Sequence, residues 1–299
     1  MGSAQGDREE TILAKKASKK NKPIYLLAAA TIVILGELFN IFFGFGGMTA
    51  PLKAETSVHF IDVGQGDAEL ILSGGEAVLI DAGPTAAGDT VVAYLKQQGV
   101  TKLRAAIATH PHEDHIGGMD KVLKAFPTEV LLLPDKTATT RCYERMLDAA
   151  ETTGAKVVVP KVDERIFFDS GAQLTFLSPS PEAVYSNTNN YSIVSLLSAG
   201  GKNVLFMGDA ETEIEEALLR QGTDIRCDVL KVGHHGSSTS SSPDFVERAA
   251  PSIAVISCAK DNDYGHPHRE TIELLNRLGI ETHITADEGT YVYEIPAAS

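Results

Sequence analysis

Cysteine is scarce in this chain: among 299 residues only Cys142, Cys227 and Cys258 occur. Their spacing fits no metal-binding pattern, and an odd count argues against a complete disulfide framework. Cys227 and Cys258 fall in strand-like runs, where a thiol behaves as a small buried hydrophobe. Positive charge is also in deficit, with 26 Lys and Arg against 40 Asp and Glu and a net charge of -14. The deficit is uneven. Residues 1–23 carry six basic and three acidic side chains, so the remainder stands at -17. Such a surface repels polyanions at long range and carries no nucleic-acid footprint by charge. Low-complexity sequence is absent apart from the serine run Ser237–Ser242, whose hydroxyls could contact phosphate.

Long hydrophobic runs number one. Ile24–Phe45 is 22 residues long with Glu37 and Asn40 as its strongly polar interruptions. As a helix it would measure about 33 Å, enough for a hydrocarbon core of about 30 Å. The lysines at 15, 16, 19, 20 and 22 would stay cytoplasmic and place the chain beyond the run outside. An uncleaved anchor is the preferred reading and a secretory signal the alternative. The expected organisation is a basic cytoplasmic N-terminus (1–23), the anchor or signal segment (24–45), a linker (46–55) and one domain (56–296). That domain is expected to be extracytoplasmic, membrane-anchored or secreted, with the membrane as a partner through the N-terminal segment.

Histidine is present in groups. Seven of the nine lie in three clusters: His110/His112/His115, His234/His235 and His266/His268. The stretch Thr109–His115 crowds three imidazoles and two carboxylates where apolar side chains would pack better. Imidazole and carboxylate are ligands for zinc, manganese and iron. The apolar run Leu103–Ala108 before it reads as a strand, so the ligands sit at a strand's carboxyl end, where α/β folds place active sites. Asp209 follows the strand-like run 203–207 and can bridge two cations. Lys231–Ser237 repeats the strand-then-ligand arrangement.

The pattern along the chain predicts an antiparallel meander (57–63, 68–72, 77–80), then alternating helices (90–98, 116–125, 141–150) and strands (103–108, 129–133, 156–159). Strands at 173–177, 193–198, 203–207, 227–232 and 253–257 come next, with helices at 211–219, 243–248 and 267–278 and two short terminal strands. This is an α/β order.

The segments Phe60–Ala68, Leu79–Gly83, Thr109–His115, Asn189–Ser192, Gly208-Asp209, His234–Ser237 and Tyr264–His268 together resemble the metallo-β-lactamase superfamily. Within it they are most similar to the ComEC-like branch, the hydrolase-like domain of bacterial DNA-uptake channels. The resemblance implies an αββα sandwich with a dinuclear site of two divalent ions, zinc or manganese, that share a hydroxide. It implies that His110 and His112 hold the first ion, Asp114 and His115 the second, and that Asp209 bridges. One of His234 and His235, with His235 preferred, completes the second site, and the other faces substrate. Asp114 also stands where the superfamily fixes the attacking nucleophile. Superfamily members supply a further histidine to the first ion, yet none occurs from Ile116 to Gly208. Asn189–Ser192 stands there instead, and an asparagine carbonyl is a weaker zinc ligand than imidazole.

Around these ligands, Asp81 is expected to orient a ligand histidine, with Asp62 and Asp67 in similar supporting roles. Asn190, Ser237 and Lys231 are candidates for binding substrate, and His266 for donating to a phosphate or protonating a leaving oxygen. His268 reads as a helix-surface residue and His59 as structural. The expected activity is metal-dependent hydrolysis of a phosphoester, nucleic acid included. The alternatives are hydrolysis of a β-lactam or lactone, and a non-catalytic binding module with a weakened metal site.

Overall fold

The structure is a computed structural model and describes residues 56–297 apart from residue 181. The basic N-terminus, the 24–45 segment and the 46–55 linker lie outside the described residues. Among the described residues no helix is long and apolar enough to cross a membrane.

Two seven-stranded sheets face each other. The first holds β1 (Thr56–Phe60), β2 (Glu69–Ser73), β3 (Glu76–Ile80), β4 (Leu103–Ile107), β5 (Thr128–Leu132) and β6 (Lys156–Val158), and is closed at its β1 edge by β14 (Tyr291–Ile295). The second runs β13 (Glu281–Ile284), β12 (Ile253–Ile256), β11 (Val229–Lys231), β10 (Lys202–Phe206), β9 (Val194–Ala199), β8 (Gln173–Ser178) and β7 (Arg165–Phe167). Each sheet is half antiparallel and half parallel. In the first, β14 through β3 alternate in direction, and β3 through β6 run together. The second mirrors this, with β10 through β13 parallel.

Alternation at a period of two splits each strand between two cores. Val58, Phe60, Ile71, Val78, Ile80, Ala105 and Ile107 point between the sheets, against Leu174, Phe176, Val204 and Phe206. Their neighbours Leu70, Leu79, Ala106 and Leu131 face α1 (Gly88–Gln97), α3 (Met119–Ala125) and α4 (Arg141–Thr153). On the far side Leu205, Leu230 and Ala254 meet α5 (Thr212–Gln221), α6 (Pro243–Ala249) and α7 (Arg269–Arg277). Strands covered on both faces read as continuous apolar runs, as these do. Truncating Leu79 or Leu230 to alanine is a cavity change of about 2–5 kcal/mol. All three cysteines are free and buried.

Some boundaries differ from the sequence reading. The helix expected over 116–125 is two pieces, α2 (Glu113–Ile116) and α3. The break falls at Gly117 and Gly118, whose backbones press on the 82–85 loop. A Cβ on Gly117 would lie 2.2 Å from the Thr85 nitrogen, and one on Gly118 2.3 Å from the Ala82 oxygen. The last long helix begins at Arg269 rather than 267. The edge strand β7 and the short α8 (Thr285–Glu288) carry no pattern long enough to be predicted.

The parallel strands of both sheets end on one edge of the sandwich. There the loops after β1, β3, β4, β10 and β11 meet, and the chemistry-bearing side chains collect.

Candidate metal centre

Backbone hydrogen bonds fix these loops against one another. Ala82 N donates to His115 O at 2.7 Å, Asp67 N to Asp114 O at 3.2 Å, Ile193 N to Thr109 O at 3.0 Å, and His234 N to Gly208 O at 3.0 Å. The Asp67 contact needs Gly66: with φ at 138°, a Cβ there would lie 2.1 Å from the Asp114 oxygen. Asp81, His234 and His235 adopt left-handed backbone at φ 54°, 49° and 54°. In non-glycine residues that conformation costs on the order of 1–3 kcal/mol and gathers at functional sites.

Two groups of ligand atoms result. His110, His112 and Asp209 form one; Asp67, His115, Asp209 and His235 form the other. Asp209 belongs to both. Its Oδ2 faces His110 Nε2 at 3.6 Å, and its Oδ1 faces His115 Nε2 at 3.1 Å and His235 Nε2 at 3.5 Å. Asp114 Oδ2 lies beside the second group, 3.3 Å from His235 Nε2.

The far nitrogens are tied down. His115 Nδ1 meets Asp81 Oδ2 at 2.7 Å, and His235 Nδ1 meets the Ser257 carbonyl at 2.9 Å. Asp81 itself accepts from the Thr109 nitrogen at 2.8 Å and its hydroxyl at 2.6 Å. His115 Nε2, His235 Nε2 and Asp209 Oδ1 are buried and have no hydrogen-bond partner. Orphaned buried groups of this kind need an explanation, and a cation satisfies all three together. The donor set therefore fits divalent metal.

Electrostatics say the same. Burial raises the Asp209 carboxyl, but His115, His235 and His110 outweigh it and hold it well below the usual range. Burial lowers His115, yet Asp209 and Asp81 bring it well above the ordinary histidine value. His235 likewise is pushed up to about 10 by Asp209 and Asp67 against its burial. Clustered carboxylates thus favour positive charge at these imidazoles, and a cation, which binds them neutral, would supply that charge in place of protons.

Several expectations are corrected. Lys231 does not reach substrate: its Nζ is buried against Asp67 Oδ2 at 2.8 Å and the Val232 carbonyl at 3.1 Å. It lies on β11 between the sheet and the ligands, so its charge serves Asp67. Asn190 is consumed by the scaffold, donating to Glu213 Oε2 at 2.7 Å and accepting from the Glu211 nitrogen at 3.0 Å. Ser237 is buried and its hydroxyl contacts Thr239 Oγ1 at 3.1 Å, while Ser240 Oγ donates to the Gly233 carbonyl at 2.7 Å. The serine run thus braces its own loop. Asp62 is exposed and accepts from the Gly64 nitrogen at 3.1 Å, which makes it a turn residue. Asp67, expected to support a ligand, itself supplies a ligand atom to the second group.

His266 stands at the mouth, its ring 5.4 Å from that of His234. Burial, then repulsion by His234 and His235, lowers it to about 4. It is therefore neutral near pH 7, and its buried Nδ1 has no hydrogen-bond partner. His268 is more than a surface residue: its Nδ1 accepts from the Ser238 nitrogen at 2.9 Å. His59 joins Ser57 and Tyr94 at 2.9 and 2.8 Å, a structural link. Glu211 escaped the sequence reading altogether. It accepts from Asn187 Nδ2 at 2.8 Å and from Asn189 Nδ2 and Thr239 Oγ1, both at 3.1 Å.

Two facing α/β sheets with imidazole and carboxylate converging at one edge define a metal-dependent hydrolase of the metallo-β-lactamase fold. Residues 61–260 match the model of the metallo-beta-lactamase superfamily, and the chain belongs to that family. It is 33% identical over 261 residues to ComE operon protein 3 of Bacillus subtilis (strain 168), covering 81% of this chain and 33% of that protein. It is 32% identical over 242 residues to Recombination protein 2 of Haemophilus influenzae, covering 79% of this chain and 28% of that one. The chain thus spans about a third of the length of these curated relatives, in keeping with a ComEC-like metallo-β-lactamase domain. Among solved structures, YhfI from Bacillus subtilis shares the fold at a TM-score of 0.57 and 16% identity, over 80% of this chain and 99% of that one.

Proposed function

We propose that this chain hydrolyses phosphodiester bonds, with single-stranded nucleic acid as the substrate class, using two divalent cations, zinc or manganese. The observation that carries the reading is Asp209, whose two carboxylate oxygens face two different groups of ligand atoms. His110, His112 and Asp209 would hold one cation, and Asp67, His115, Asp209 and His235 the other. Bound there, such ions supply Lewis acidity to a phosphoryl oxygen and lower the pKa of an attacking water.

The protein's own groups do the rest. Asp81 and the Ser257 carbonyl keep His115 and His235 pointed inward. Burial opposes ionisation of Asp114, but the His235 ring 3.3 Å away and His115 hold its carboxyl below the usual range, so it stays an acceptor. Its side chain is 29% exposed and so reaches the open side, where it can orient water toward phosphorus. As the water oxygen bonds to phosphorus, the ester P–O bond breaks and the water's proton passes to the departing alcohol. His266, neutral, offers a hydrogen bond without charge.

Support for nucleic acid comes from the rim and from the relatives. Tyr264 is 65% exposed, and its ring stacks on His266 at 5.6 Å and 19°. An open aromatic face beside the cleft is a platform for a base, worth about 1–3 kcal/mol per stack. The name of one relative, Recombination protein 2, is consistent with that substrate class. The lysine-rich start and the 24–45 run support an anchored, extracytoplasmic placement. The test is turnover of bis(p-nitrophenyl) phosphate by the manganese- or zinc-loaded chain, abolished by chelator. A β-lactam such as nitrocefin should be turned over poorly; preference for it over the phosphodiester would overturn the reading.

A further inference from the structure

The superfamily's further histidine for the first cation has no counterpart between Ile116 and Gly208. We propose that His234, aimed by Glu211, takes that place and is the third imidazole of the first cation. This rests on the two-cation reading above.

Consecutive left-handed residues turn the two histidine rings in different directions. His235 enters the second group, while His234 Nε2 lies 3.8 Å from Asp209 Oδ2, the oxygen that faces His110 Nε2. The other nitrogen of His234 is occupied. Nδ1 lies 3.1 Å from Thr239 Oγ1 and 3.2 Å from Glu211 Oε1. Thr239 already donates its hydroxyl proton to Glu211 Oε1 at 3.1 Å, so both neighbours of Nδ1 present acceptor oxygens. That places the ring proton on Nδ1 and leaves Nε2 as the lone-pair nitrogen, which a bound cation would take over from the Asn189 amide 3.4 Å away. A carboxylate behind a ligand histidine fixes its tautomer and raises its basicity. Asp81 does this for His115, and Glu211 stands in the same relation to His234.

The asparagine segment explains how Glu211 is held. Asn187 Nδ2 and Asn189 Nδ2 both donate to it, and its own nitrogen donates to Asn190 Oδ1 at 3.0 Å. Asn189 turns its Nδ2 toward His234 Nε2 at 3.4 Å, and its buried Oδ1 has no hydrogen-bond partner. The stretch without a histidine therefore anchors the carboxylate that orients another one.

Cobalt(II) titration of the 299-residue chain, followed by calorimetry and visible absorption, tests this. Wild type should bind two ions. His234→Ala should retain one tight ion, with the other weakened about 10- to 100-fold and its absorption changed; Glu211→Gln should weaken that same ion about 10-fold or more while keeping the imidazole. Circular dichroism confirms folding, and His235→Ala should weaken the other ion. Two ions bound by folded His234→Ala with wild-type affinity and spectrum would overturn the proposal. Fewer than two ions in wild type would overturn the two-cation reading beneath it.

Discussion

Lys231 Nζ lies 2.8 Å from Asp67 Oδ2, and both side chains are 1% exposed. A buried cation directly behind a ligand carboxylate fixes that carboxylate and offsets its charge. Burial, then repulsion by Asp67, pushes the nearby Glu69 carboxyl well above its ordinary value, whereas at Asp67 burial is outweighed by Lys231 and His235, which bring it down to about 2.

Removing this lysine strands a buried charge. Lys231→Met should destabilise the metal-free protein by about 3–5 kcal/mol, because breaking one partner of a buried pair leaves the other uncompensated. Denaturant melts would show it, and adding Asp67→Asn to Lys231→Met should recover more than half of the loss. A single variant as stable as wild type would contradict the pairing.

The Tyr264 platform separates polymer binding from chemistry. Tyr264→Ala should raise KM for a single-stranded oligonucleotide about 5- to 100-fold, the equivalent of one lost base stack. Turnover of bis(p-nitrophenyl) phosphate, which has no base, should stay within about twofold of wild type. An unchanged oligonucleotide KM would remove Tyr264 from the substrate path.

A third expectation concerns pH and a residue far from the ligands. Burial lowers His59 below its ordinary value of 6.5. A depressed folded pKa means the unfolded chain takes up the proton first. The stability His59 contributes is complete above about 6.5 and is lost as pH falls toward its folded pKa. His59→Gln should therefore show a shallower fall in Tm from about pH 7 to about pH 5. An identical slope in both proteins would deny His59 that role.

Much of the fold and the ligand core was legible in the sequence because it rests on local signals. Runs such as Leu103–Ala108 are apolar enough to be buried on both faces, and imidazoles at 110, 112 and 115 crowd one loop. What escaped depends on contacts distant in sequence. Lys231 resembles any strand-end lysine until Asp67, 164 positions earlier, is placed against it. Glu211 gains meaning from Asn187, Asn189, Thr239 and His234, which no periodicity connects. The directions of His234 and His235 arise from left-handed backbone, and only the flanking glycines hinted at an irregular turn. The serine run misled because hydroxyls suited to phosphate are equally suited to bracing their own loop.

The most direct test is cleavage of an end-labelled single-stranded oligonucleotide by the manganese- or zinc-loaded chain, alongside Asp114→Ala at equal metal content. Loss of a group that acts in the transition state lowers turnover and kcat/KM together. Wild type should accumulate shorter products that chelator abolishes, and the variant should be slower by about 100-fold or more, the several kcal/mol expected of a metal-assisted step. An intact oligonucleotide after incubation with fully metal-loaded wild type, or equal rates for both proteins, would contradict metal-dependent phosphodiester hydrolysis at this site.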